Sequence, residues 1–231
     1  VRAVREAVEI LKLAGSGQPI NYAGEIFTIR GYHPVWAKSP PPVIYVGANR
    51  DKMLHMGPRY ADGIMLSDKM IPQVREVRTV IDSVLDAAGR PRATFRLNNF
   101  WAWHVKATRA EAQREARIWL ALRGVLLRQN HVYFMNAADC DLVEAKRQNF
   151  FAALRKRSPD IEDVPERIIE SLVENLTSCA SIDEIDKEIE RLRQFEAAGL
   201  TEIALRIYDD PAATIRLIGE RVIPALGNSA K

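Results

Sequence analysis

The segment Val43-Ile-Tyr-Val-Gly-Ala-Asn-Arg-Asp-Lys52, followed one helical span later by Ala61-Asp-Gly-Ile-Met-Leu-Ser67, constrains the fold most. Val43, Ile44 and Val46 form a short β-branched apolar run, and Pro40-Pro41-Pro42 before it can neither join a sheet ladder nor continue a helix. A buried strand is therefore expected from Val43 to Val46. Beyond it, Gly47 and Ala48 are small enough to let a ligand approach the backbone, and Asn49 or Asp51 can cap a helix over about residues 52–60. A second buried strand is expected at Gly63 to Leu66. A helix N-terminus behind small residues offers free N–H groups and the positive end of its dipole, which suits a phosphate-sized anion. Packing alone explains a glycine at such a turn equally well. No second or third glycine stands at dinucleotide-binding spacing and no lysine follows as in a P-loop, so neither nucleotide fingerprint is met.

Two strands joined through a helix pair in parallel, and the rest of the chain repeats the alternation. An apolar stripe through Val1, Val4, Val8 and Leu11 gives a first helix, already running at the first residue without a cap, that stops at Gly15-Ser-Gly17. Ile20 to Ile29 alternates around Ala23-Gly24 as a small hairpin would. Val74, Val77, Ile81, Val84 and Leu85 mark a helix ended by Gly89-Arg-Pro91, and Thr94 to Val105 reads as a strand carrying Phe100, Trp101 and Trp103. Arg109 to Leu176 reads as helical, with breaks near Asn136 and Ser158-Pro159. Ser181-Ile-Asp-Glu184 is a capping box for a helix ending at Gly199. Glu202 to Tyr208 is the last strand, and Pro211 opens the last helix. The class is α/β, in one domain over residues 1–231 with a helical insert at about 109–176. Four strand–helix units are too few for a closed eight-unit barrel, which takes roughly 250 residues.

Composition narrows the partners. With 47% hydrophobic and 27% charged residues the chain can bury a full core, and a net charge of +3 with interleaved signs gives nucleic-acid binding no support. No apolar run approaches the roughly 20 residues of a membrane helix. Cys140 and Cys179 are lone thiols without metal-type spacing, which fits a reducing cytoplasm. His33, His55, His104 and His131 are scattered, with no paired carboxylate or nucleophile arrangement. Of these His104 is the best placed, at a strand's C-terminal end, and Ser67, Asp68, Arg206 and Tyr208 are pocket candidates on the same ground. Trp101 and Trp103 share one strand face and are expected in the core, with Met53, Leu54 and Met56. The charges between Arg109 and Arg128, and between Glu184 and Arg193, are expected to be solvated helix faces.

The order Arg5-Glu-Ala-Val-Glu-Ile-Leu-Lys12, Gly17-x-Pro-x-Asn-Tyr-x-Gly-Glu-x-Phe27, Pro42-Val-Ile-Tyr-Val-Gly-Ala48, Lys52-Met-Leu and Ala61-Asp-Gly63 resembles the luciferase-like monooxygenase superfamily. It is most similar there to the deazaflavin-dependent methylenetetrahydromethanopterin reductase group. Ser178-Cys-Ala-Ser-Ile-Asp-Glu184 and Ile218-Gly-Glu-Arg-Val-Ile-Pro224 resemble that group's last helical units. The resemblance implies a TIM-type (β/α)8 barrel of the bacterial luciferase-like class, of which this chain would supply strands five to eight, with the insert before the last strand. It implies that the loop after the fifth strand holds a coenzyme phosphate, which carries over to Gly47, Ala48, Asn49 and Arg50. Many of the group have Gly-Pro where this chain has Arg50-Asp51. The implied activity is hydride transfer between coenzyme F420 and a small organic substrate; apart from the resemblance, a cytoplasmic protein and a homo-oligomer are expected. Two alternatives stand beside it: an FMN-dependent monooxygenase of the same superfamily, and a non-catalytic barrel fragment.

Overall fold

A computed structural model describes residues 1–37, 41–122 and 127–227. Pro40 of the expected strand breaker, and residues 123–126 of the span expected to be helical, lie outside the described residues. In chain order the elements are α1 (Arg2–Gly15), β1 (Ile20–Ala23), β2 (Thr28–Tyr32), β3 (Tyr45–Gly47), α2 (Asp51–Tyr60), β4 (Gly63–Ser67), α3 (Ile71–Ala87) and β5 (Arg96–Lys106). Then come α4 (Arg109–Trp119), α5 (Arg128–His131), α6 (Ala137–Ala145), α7 (Arg147–Lys156), α8 (Glu166–Leu176), β6 (Thr177–Ser181), α9 (Ile185–Ala197), β7 (Glu202–Arg206), α10 (Pro211–Leu217) and α11 (Ile223–Gly227). The chain divides into two compact units.

The first unit comprises Val1–Leu66, Arg75–Asn98 and Gly199–Glu202. β1 and β2 form the expected antiparallel hairpin, with Tyr22 opposite Ile29. Its turn is held from α1, because the fully buried Glu6 carboxylate accepts the N–H groups of Glu25, Ile26 and Phe27 at 2.9–3.3 Å. β3 and β4 pair in parallel, Tyr45 with Gly63 and Gly47 with Met65. The ladder starts at Tyr45 rather than at Val43 as expected. Asp62 is the cause: its Oδ2 takes the Ile44 N–H at 3.0 Å, and Ile44 O turns back to the Asp62 N–H at 2.9 Å. Val8, Val46, Met56 and Ala61 form this unit's apolar centre. Gly63 is required there, since a Cβ would lie 2.6 Å from the Tyr45 ring and 2.9 Å from Arg96 O.

The second unit comprises Ser67–Val74, Asn99–Ala198 and Ile203–Lys231. β5 and β6 run parallel, Ala102 opposite Thr177 and Lys106 opposite Ser181, and β7 also pairs with β5. β6 was not expected: Thr-Ser-Cys-Ala-Ser carries no β-branched run and follows α8 without a turn residue. Its pairing with β5 makes it a strand, a tertiary contact overriding local preference. The helical segment packs on its own core, with Ala116, Leu120, Phe150, Ile168, Leu172 and Leu176 almost wholly buried. A second cluster joins Trp103, Val105 and Ala180 to Ile185, Ile189 and Leu192 of α9. The capping box at Ser181 and Glu184 forms as expected, and Asn136 caps α6 by accepting the Asp139 N–H at 2.9 Å.

Candidate functional site

The turn between β3 and α2 lies within the first unit. Gly47 is exposed, a Cβ built on it meets no atom of the described residues within 4 Å, and its backbone is not left-handed. Among the described residues neither packing nor backbone geometry demands a glycine at this position, so the packing explanation loses its ground there. Ala48 is buried, and its N–H donates to Met65 O at 3.1 Å. The Ala48 amide is thereby taken up by the strand pair, and what remains for an anion is the open surface of Gly47 and the groups after it. Asn49 and Arg50 are exposed.

The helix cap is Arg50, in extended backbone at φ −131° and ψ 154°, without a side-chain cap bond. This corrects the expectation of Asn49 or Asp51 in that role. Asp51 lies inside the first turn, one residue too late to cap, and there its charge favours the helix dipole. Arg50 O accepts the Met53 and Leu54 N–H groups, both at 3.0 Å, so the N–H groups of Asp51 and Lys52 are the ones left without an intrahelical acceptor. Among the described residues Arg50 makes no ion pair. The helix thus opens with Arg50, Asp51 and Lys52 exposed and the open Gly47 three residues before the cap, and free N–H groups at such a turn are of the kind that suits an anion.

The other candidates belong largely to the second unit. His104 is fully buried, and its Nδ1 lies 2.6 Å from Glu115 Oε2. Its ring stacks with Tyr208 at 5.4 Å, and Tyr208 stacks with Trp119 at 4.4 Å. Arg206 places its guanidinium over the Phe100 ring, and Ser67 Oγ donates to Asp68 Oδ2 at 3.2 Å. Trp101 and Trp103 are core residues as expected, with Trp101 Nε1 donating to Ser178 Oγ. Elsewhere, His33 and His55 meet the backbone carbonyls of Gly17 and Asp51. Both cysteines are free and buried, and burial first of all pushes the Cys179 thiol up to about 11. Among the described residues no His, Cys, Asp or Glu group could hold a metal ion, and no helix is long and apolar enough to cross a membrane.

Two acidic residues expected on solvated faces are not there. Glu115 and Glu188 are 4% and 0% exposed. Burial opposes the Glu115 charge, but hydrogen bonds from His104 and Lys106 outweigh it and hold the carboxyl below its ordinary range. Glu188 meets Arg191 Nε at 3.1 Å. A carboxylate among other charges in a helical segment gives no sign in sequence that its own face turns inward; only the fold reveals Glu115.

Known proteins share this chain's sequence pattern and fold. The chain is 28% identical over 228 residues to 5,10-methylenetetrahydromethanopterin reductase of Archaeoglobus fulgidus, covering 98% of this chain and 67% of that protein. Among solved structures, the coenzyme F420 dependent tetrahydromethanopterin reductase of Methanopyrus kandleri has a TM-score of 0.75 at 18% identity, over 96% of this chain and 62% of that one. An F420-dependent secondary alcohol dehydrogenase in complex with an F420-acetone adduct has a TM-score of 0.69 at 17% identity, over 96% and 60%. The chain thus spans about two thirds of the length of the curated reductase and somewhat less of the two solved chains. The α/β fold is that of the luciferase-like barrels, and a family model described as luciferase-like monooxygenase matches residues 1–202. On that match, the chain belongs to the luciferase-like monooxygenase family.

Proposed function

We propose that the chain is part of an F420-dependent oxidoreductase acting on a small organic substrate, and that the β3–α2 turn holds the coenzyme phosphate. The observation that carries the reading is Gly47, exposed and open where nothing among the described residues requires a glycine, at the entry to a helix whose first N–H groups face no intrahelical acceptor. The likeness to a coenzyme F420 dependent reductase and to an F420-dependent alcohol dehydrogenase supports the choice of coenzyme. Coenzyme F420, when bound, supplies the hydride chemistry; the protein's part is to bind, orient and keep water away. Gly47 would admit the phosphate close to the backbone, Asn49 and the Arg50 guanidinium would contact it, and Ala48 would keep the turn tight through its bond to Met65. Asp51 is harmless as long as its carboxylate faces away from that anion.

Fluorescence titration of the purified protein with coenzyme F420 and, separately, with FMN tests the reading. Saturable F420 binding that weakens about tenfold or more in Gly47→Val, with unchanged circular dichroism, is the expected result. Tight FMN binding without F420 binding would instead favour a flavin-dependent monooxygenase, the second reading, which the family's description supports. Absence of both would leave a non-catalytic fragment.

A further inference from the structure

We propose that Glu115 is a positioning residue that holds the loop leaving β7 in its ligand-competent arrangement. The proposal rests on the oxidoreductase reading, because in barrels of this class the loops at the C-terminal strand ends carry the ligands. His104 and Lys106 converge on this carboxylate, and the carboxylate and Lys106 converge on one loop residue, Asp209. Glu115 Oε1 accepts the Asp209 N–H at 3.1 Å and lies 2.7 Å from Lys106 Nζ. Lys106 Nζ also donates to Asp209 O at 2.9 Å. The carboxylate and the ammonium together therefore grip both backbone polar groups of the same residue. Glu115 Oε2 is occupied by His104 Nδ1, which fixes the imidazole that stacks with Tyr208, one residue before the gripped peptide. Tyr208 stacks in turn with Trp119 at the end of α4, the helix that bears Glu115.

The loop needs such a clamp. Asp210 has φ 49° and ψ 65°, a left-handed conformation that is strained for a residue with a side chain, and it caps α10 by accepting the Ala213 N–H. A conformation of that kind persists only when its surroundings over-determine it. A buried ionic cluster is not the cheapest way to stabilise a core, since apolar residues of the same volume often serve as well or better. What the ion cluster adds is direction, because only donors and acceptors can fix the N–H and C=O of a single peptide. His104 and Tyr208 are then parts of the support rather than groups presented to a substrate.

The test is Glu115→Gln, which keeps the volume and removes the charge, alone and combined with Lys106→Gln. The expected result is an unchanged far-ultraviolet dichroism spectrum, loss of the near-ultraviolet signal from the Trp119–Tyr208 stack, and an F420 dissociation constant raised about tenfold. The double variant should add little to the single one, because both side chains act on Asp209. An unchanged near-ultraviolet signal with a dissociation constant within about twofold of wild type overturns the proposal. If wild-type protein binds neither F420 nor FMN, the functional reading fails, and the clamp is decided by the near-ultraviolet signal and by protease sensitivity after Arg206: loss and new cleavage support it, retention overturns it. Should Glu115→Gln not fold, Lys106→Gln alone is measured in the same ways, and the same outcomes support or overturn the clamp.

Discussion

Glu6 shows how much one side chain does in this fold. Burial alone would raise its carboxyl, but the N–H groups of Phe27, Ile26 and Glu25, with Arg5 nearby, outweigh burial and hold it below its ordinary value. A carboxyl lowered on folding contributes stability that is complete above its unfolded value and disappears as the pH falls through the folded one. Acidification below about pH 4.5 should therefore lower the melting temperature, and Glu6→Gln should be less stable than wild type at neutral pH yet lose less on acidification. Differential scanning calorimetry from neutral pH to about pH 3 checks both, and parallel slopes would refute the assignment. Cys179 makes a second expectation at this scale. With its thiol pushed up to about 11 and only 6% exposed, it should resist iodoacetamide at pH 8 in the native protein and react fully in denaturant, as read by mass spectrometry. Neither environment is legible in the sequence. Glu6 reads as one of many helix charges, and the three amides that select it lie some twenty residues away.

At the scale of elements, two glycines of adjacent paired strands separate cleanly. Gly63→Ala would drive a methyl group into the Tyr45 ring and Arg96 O, and should cost about 1–3 kcal/mol. Gly47→Ala meets nothing and should change stability by less than about 0.5 kcal/mol. Chemical denaturation of both variants decides, and a destabilised Gly47→Ala would show that this glycine serves packing after all. Sequence reading reaches the helices well because their apolar periodicity is repeated over several turns, as in Val74, Val77, Ile81 and Val84 of α3. Short strands leave less room for error. β3 begins two residues late because the Asp62 carboxylate captures an amide, and β6 forms from small polar residues because β5 offers a partner. Such long-range causes are absent from any local window. The β3–α2 turn itself was legible, down to Gly47, but its true cap and the Ala48 amide's bond to Met65 were not.

For the molecule as a whole, both units leave large apolar side chains at the surface: Val35 and Trp36 of the first are 83% and 58% exposed, and Val132, Ile215 and Ile223 of the second are 58%, 60% and 62% exposed. Val35 and Trp36 are neighbours in the chain, and contiguous exposed apolar residues, unlike scattered ones, mark surfaces that acquire partners. We therefore expect concentration-dependent self-association in sedimentation velocity, weakened by combining Val35→Ser with Trp36→Ser; a monomer at every concentration would refute it. The open position beside Gly47 has one more consequence. Because both native cysteines are buried, Gly47→Cys would place a single accessible thiol at the mouth of the turn, its Cβ clear of every described neighbour. Labelling of that thiol and binding of an anion would then compete for one place, so the anions that slow the labelling are those that come to rest at this turn.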